Sequence, residues 1–113
     1  MKQLGGQAEA LAAAFLKQQG LKLVASNYRC RFGEIDLIMR DGITLVFVEV
    51  RLRSNKNFGG AAMSITAAKR QRLVQTAQHY LQQHGDCACR FDAILMRTVD
   101  MQTIEWIKNA FET

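Results

Sequence analysis

The run from Gly33 to Arg53, G-E-I-D-L-I-M-R-D-G-I-T-L-V-F-V-E-V-R-L-R, leaves this chain the least freedom. Two apolar stretches flank an Asp-Gly pair. That is the pattern of two antiparallel strands joined by a tight turn at Asp41-Gly42. Alternation places Glu34, Asp36 and Ile38 on one face of the first strand, and Ile35, Leu37 and Met39 on the other. On the second strand Phe47, Glu49 and Arg51 share a face, opposite Val46, Val48 and Val50. A carboxylate inside V-F-V-E-V is costly to bury alone. Facing a strand that carries Asp36, it can be retained by holding a cation. A structural Glu49–Arg51 pair with partners across the sheet is the competing reading, and the pattern alone leaves both open.

The chain has 113 residues, 49% of them apolar, which is enough for one domain with a modest core. Fifteen basic and ten acidic residues give a net charge of +5, a bias toward polyanions such as nucleic acid. Cys30, Cys87 and Cys89 form neither a disulfide framework nor a zinc-ligand spacing, so they read as free thiols in a reducing cytoplasm. The segment L-A-A-A-F-L near the N-terminus is interrupted by charge on both sides, and no apolar run approaches the length of a membrane span.

Residues 5–19 are expected to form a helix with an apolar stripe of Leu4, Ala8, Leu11 and Phe15, stopped by Gly20. Glu9 falls at the edge of that stripe. It is either an ordinary solvated first-turn residue or a carboxylate reaching toward Asp36. Residues 21–24 and 28–32 read as one strand bent at Ser26-Asn27, with Arg29 and Arg31 on a common face and Gly33 marking a turn or bulge. Residues 54–63 read as a loop.

A second helix is expected over 65–84, capped by Ser64 or Thr66, with a stripe of Ala68, Leu73, Ala77, Tyr80 and Leu81. Its first turns carry Lys69, Arg70 and Arg72, which oppose the helix dipole; they are either a phosphate-binding set or a plain solvated basic face. His79 and His84 read as surface residues. A strand over 87–96 with Asp92 inside it, a more exposed strand over 99–107, and a tail of Asn109, Ala110 and Phe111 complete the chain.

Glu9, Asp36 and Glu49 form the candidate metal set, with Arg51 beside them. Carboxylate oxygens suit a hard cation such as Mg²⁺ or Mn²⁺, which can polarise a phosphodiester and activate water. Arg51, two residues after Glu49, would offset part of the negative charge and can grip a phosphate oxygen.

The sequence also resembles the small bacterial YraN family. The resemblance runs almost end to end. It is carried by Gly6-Gln7-Ala8-Glu9, Asn27-Tyr28-Arg29, Gly33-Glu34-Ile35-Asp36-Leu37-Ile38, and Phe47-Val48-Glu49-Val50-Arg51 with Arg53. Phe58-Gly59, Lys69, Arg90-Phe91-Asp92 and Asn109-Ala110-Phe111 complete it. That family resembles a branch of the restriction-endonuclease-like superfamily, near the archaeal Holliday-junction resolvases. The resemblance implies one α/β domain over 1–113 with an αβββαβ core, its mixed central sheet flanked by helices. It also implies divalent-metal cleavage of nucleic-acid phosphodiesters.

In the superfamily pattern Glu9 matches the helix acid, Asp36 the metal-binding Asp and Glu49 the acid on the next strand. Arg51 stands where that pattern has lysine. Arginine stays protonated, so it orients water or stabilises charge but cannot act as a base.

Two functions from different classes follow. One is a metal-dependent nuclease acting on DNA, including branched DNA, with Glu9, Asp36, Glu49 and Arg51 as its catalytic set. Arg29, Arg31, Arg53, Lys56, Lys69 and Arg70 would then hold the backbone. The other is a nucleic-acid-binding or adaptor module that keeps the fold without efficient cleavage. A structural protein-interaction domain is a third reading. On a two-fold symmetric junction a homodimer would be the natural geometry.

Overall fold

The computed structural model describes residues 4–52 and 66–111. The side chain of Leu4, the loop expected over 54–63, the cap candidate Ser64, and the phosphate contacts Arg53 and Lys56 lie outside the described residues. The elements run α1 (Leu4–Gln18), β1 (Lys22–Cys30), β2 (Gly33–Asp41), β3 (Thr44–Leu52), α2 (Ala67–His84), β4 (Cys89–Met96), a 3₁₀ turn (Met101–Thr103) and β5 (Glu105–Ile107). This is the expected αβββαβ order with a short strand added. No helix among the described residues is long and apolar enough to cross a membrane.

The helix ends follow from their sequences. After α1, the Gly20 N–H donates to the Lys17 carbonyl at 3.0 Å and the Leu21 N–H to the Leu16 carbonyl at 3.1 Å. This is a Schellman stop in which Gly20 takes φ 99° and Leu21 folds back into the core beside Leu16. At the start of α2 the Thr66 hydroxyl accepts the Lys69 N–H, so Thr66 is the cap. The buried positions of α2 are Leu73, Thr76, Ala77 and Tyr80, whereas Ala68 is exposed, contrary to the expected stripe.

The five strands lie in chain order, β1-β2-β3-β4-β5, all neighbours antiparallel except the parallel pair β3–β4. A parallel neighbour requires a crossover, and α2 lies within it. Helix α1 covers one sheet face through Ala8, Ala12 and Leu16 against Leu37, Met39, Val46, Val48, Ile94 and Met96. Helix α2 covers the other through Leu73, Ala77 and Tyr80 against Ile35, Ile38, Leu45, Phe47 and Phe91. Burial on both faces explains why the central strands read as nearly continuous apolar runs.

Four expectations need correction. The β2–β3 turn is centred on Gly42-Ile43, one residue later than expected, because Asp41 still pairs with Thr44. The segment 28–32 is not all strand: β1 ends at Cys30, and Arg31-Phe32 form the turn, so Arg29 and Arg31 do not share a strand face. Cys87 precedes β4, so Cys-Ala-Cys does not lie on one strand; all three cysteines are free. The segment expected as a strand over 99–107 begins as a 3₁₀ turn capped by the Asp100 side chain, which leaves only Glu105–Ile107 extended.

A fifth correction shapes the site. Strict alternation fails at Asp36. Ile35 packs with Ile38 on the α2 side, while Leu37 and Met39 pack on the α1 side. Strand β1 is irregular at the same level: Tyr28 pairs with Ile35 and Ala25 with Ile38, and Asn27 between them takes φ 54°. Asparagine tolerates this left-handed conformation better than most residues. Both strands thus place two residues between successive α2-facing positions, a local coiling of the ribbon.

Candidate active site

The ladder between β2 and β3 runs from Asp41↔Thr44 to Leu37↔Val48 and stops there. Continued by one step, it would set Asp36 directly opposite Glu49. Instead the strands part, and the Val50 N–H donates to Asp36 Oδ2 at 2.8 Å. A side-chain carboxylate thereby replaces the backbone carbonyl of a regular ladder, and Asp36 is held at the opening between the strands.

Glu49 lies on the α2 face of β3, after Phe47. Its Oε2 is 2.9 Å from Lys69 Nζ and 4.0 Å from Arg51 Nε, with the Glu49 side chain only 11% exposed. The contact to Lys69 is a close ion pair, whereas the one to Arg51 is at the outer limit. Lys69 was expected as a phosphate contact on a helix start that stability does not require. The structure gives it a structural partner as well.

Burial pushes the Asp36 carboxyl up, and the charge of Glu49 pushes it further. The Val50 N–H pulls it down, while Glu9 and Glu34 add to the rise, leaving it at about 7 against an ordinary 3.8. Three acids therefore act on Asp36. Glu9 does so from α1, half-buried beside a recess of about 320 Å³ that Ser26, Asn27 and Leu37 also line. Among the described residues no group of three or more His, Cys, Asp and Glu side chains is disposed to hold a metal ion. Of the neighbouring acids Glu49 acts most strongly on Asp36, and Glu9 acts on it more weakly through its charge.

The expected phosphate contacts scatter around Asp36 and Glu49. Arg29 is exposed and meets the exposed Glu34 at 2.9 Å, a contact of small energetic weight. Arg31 lies in the β1–β2 turn with its guanidinium 4.9 Å from the Phe32 ring centroid. Arg70 is exposed on the first turns of α2.

Family-model comparison matches residues 8–96 to the uncharacterised protein family UPF0102. The chain is 64% identical to a UPF0102 protein of Methylobacillus flagellatus over 98% of each chain. The chain belongs to the UPF0102 family. A Nitrosomonas europaea UPF0102 protein is 63% identical over 96% of this chain and 92% of its own. One from Pseudomonas aeruginosa is 50% identical over 96% and 91%. The YraN resemblance is thus borne out as UPF0102 membership, and neither the family description nor these relatives' names carries an activity.

Asp92, noted only as an acid in an apolar run, has a definite task in this UPF0102 chain. Its side chain is fully buried and accepts from Arg90 Nε at 3.1 and 3.2 Å, Trp106 Nε1 at 3.0 Å and the Asn109 N–H at 3.0 Å. Arg90 also reaches Asp41 at 3.1 Å. The Ala110 N–H donates to the Phe91 carbonyl, and the Phe111 ring stacks on Phe91 at 4.8 Å. These contacts fasten β5 and the tail to β4, so the partners of Asp92 are structural. His79 is not a free surface residue either: its Nδ1 and the Tyr28 hydroxyl are hydrogen-bonded at 2.6 Å. No periodicity signals that contact, because its partners are 51 residues apart.

Proposed function

We propose that this UPF0102 protein is a divalent-metal-dependent nuclease acting on DNA phosphodiesters, including branched DNA. One observation carries the reading: Asp36 is held by the Val50 N–H where β2 and β3 part, and burial, then the charges of Glu49, Glu9 and Glu34, raise its pKa to about 7. A buried Asp36 carboxyl repelled by Glu49, Glu9 and Glu34 is the kind of group a hard cation neutralises, and an all-oxygen donor set suits Mg²⁺ or Mn²⁺. Asp36 and Glu49 would hold the ion, with Glu9 contributing from α1. When bound, the ion would polarise a phosphoryl oxygen and activate water. Arg51, always protonated, would orient water or stabilise charge on the phosphate. Arg29, Arg31, Lys69 and Arg70, with Arg53 and Lys56 from outside the described residues, would supply salt-dependent backbone contacts. The cytoplasm is the natural compartment for such a chain, and a homodimer fits a two-fold symmetric substrate.

A second reading has its own observation. The pair with Lys69 balances the charge of Glu49 without a metal. That favours a nucleic-acid-binding or adaptor module that retains the fold and cleaves slowly or not at all.

Cleavage of labelled duplex, flap and four-way-junction DNA with Mg²⁺ or Mn²⁺ separates the two. Wild type would be compared with Asp36→Asn and Glu49→Gln prepared identically. Cleavage lost in both folded variants supports the nuclease. Equal cleavage in all three identifies a contaminant and sinks the assignment. Salt-sensitive binding without cleavage selects the adaptor.

A further inference from the structure

The β1–β2 turn and the second half of α2 enclose a recess of about 240 Å³ lined by Arg31, Phe32, Gln75, Gln78, His79 and Gln82. It lies below the usual ~300–1,000 Å³ of drug-sized pockets, so it suits one small planar group. Its wall is flat. The Arg31 guanidinium lies over the Phe32 ring at 4.9 Å, and the His79 ring meets Phe32 edge-on at 6.2 Å between centroids. Its rim is polar in both senses, because each glutamine amide offers donors and an acceptor. No lining residue is acidic.

The recess is also held in shape. The Tyr28 hydroxyl fixes the His79 ring, and Gly33 lies so close to α2 that an added Cβ would meet Thr76 Oγ1 at 3.3 Å. Stacking on an aromatic or guanidinium plane, with hydrogen bonds at the edge, is how unpaired bases are bound.

We propose that this recess is a nucleobase subsite: an unpaired base of a bound strand stacks on the Arg31–Phe32 surface while Gln75, Gln78 and Gln82 meet its edge. The proposal rests on the reading of the protein as a nucleic-acid enzyme and narrows its substrate to strands with an unpaired base. Gln78 lies nine residues along α2 from Lys69, the partner of Glu49. At ~1.5 Å per residue that is about 14 Å along the helix axis, with the two positions on opposite sides of the helix, an axial length of about four stacked nucleotides at ~3.4 Å each. The base would therefore sit a few nucleotides from the phosphate at Asp36 and Glu49.

The test is binding by the full chain without divalent metal. The probes are a single strand carrying 2-aminopurine, a hairpin duplex with and without a one-base bulge, and the mononucleotide dAMP. Wild type is expected to prefer the single strand and the bulged hairpin to the paired one, and to quench 2-aminopurine. Phe32→Ala should weaken the single strand roughly tenfold or more, abolish the quenching and leave the paired hairpin within about twofold. Phe32→Trp should restore both, which separates stacking from a folding defect.

Equal strand affinity in wild type and Phe32→Ala overturns the subsite, as does dAMP binding as tightly as the strand. Phe32-dependent binding with no metal-dependent cleavage supports the subsite and sinks only the nuclease reading. Cleavage that needs Asp36, with binding indifferent to Phe32, does the reverse.

Discussion

Replacing Asp36 by asparagine should make the protein more stable, increasingly so as pH rises. In the folded chain the Asp36 carboxyl titrates near 7, against an ordinary value of 3.8, first because it is buried and then because Glu49 repels its charge. Between those values the folded state binds a proton that the unfolded state has lost, so stability falls as pH rises. At ~1.4 kcal/mol per pH unit the full displacement costs about 4 kcal/mol by pH 8. Asparagine carries no charge, and its side-chain oxygen can still accept the Val50 N–H. Its advantage over wild type should therefore be under ~1 kcal/mol at pH 4 and approach about 4 kcal/mol at pH 8.

Urea unfolding of both proteins across that range gives the difference directly, cancelling the other titrating groups. In thermal unfolding the pH 8 difference amounts to on the order of 15 °C. A cation that requires ionised Asp36 should offset the same cost. Added Mg²⁺ or Mn²⁺ should therefore stabilise wild type at pH 8, less at pH 5, and Asp36→Asn at neither. An Asp36→Asn variant equally or more unstable than wild type at both ends of the range would refute the reasoning. It would mean that the Val50 contact, not the like-charge crowding, governs this position.

Other substitutions test the frame around the site. Lys69→Met should cost about 1–3 kcal/mol by leaving the largely buried Glu49 charge without its close partner, whereas exposed Arg70→Ala should stay within ~0.5 kcal/mol; urea midpoints compare them. Asp92→Asn should cost about 3–5 kcal/mol because it strips the buried charge from Arg90, and loss of near-ultraviolet circular dichroism from Trp106 would report the freed tail. Gly33→Ala should cost about 1–3 kcal/mol in thermal unfolding. Gly33 has φ 148°, and a Cβ there would press on Thr76.

Much of the fold was legible because local chemistry and tertiary packing agree. Gly20 stops α1 and Thr66 starts α2 because each meets the need of a helix end. Phe47, Glu49 and Arg51 read correctly as one face because β3 stays regular against β4 from Leu45↔Cys89 to Leu52↔Met96. Contacts made across the crossover were not legible. The approach of Lys69 to Glu49 and of His79 to Tyr28 depends on how α2 lies on the sheet, which no window of sequence contains. Asp92 was visible as an anomaly. Its partners come from β5 and the tail, so nothing local distinguished a structural acid from a ligand.

The failure at Asp36 is of another kind and bears on why the site is there. A regular antiparallel ladder would set Asp36 against Glu49 as like charges across neighbouring strands, a destabilising pair. The ladder ends one step short of that pairing, after Leu37↔Val48, and the freed Val50 N–H goes to the Asp36 carboxylate. On the other side β1 keeps its register with β2 through this level, from Ser26↔Leu37 to Tyr28↔Ile35, with Asn27 in a left-handed backbone; its one register shift lies further along, between Leu23 and Ala25. The departure from the two-residue rhythm and the crowding of acids thus coincide at Asp36.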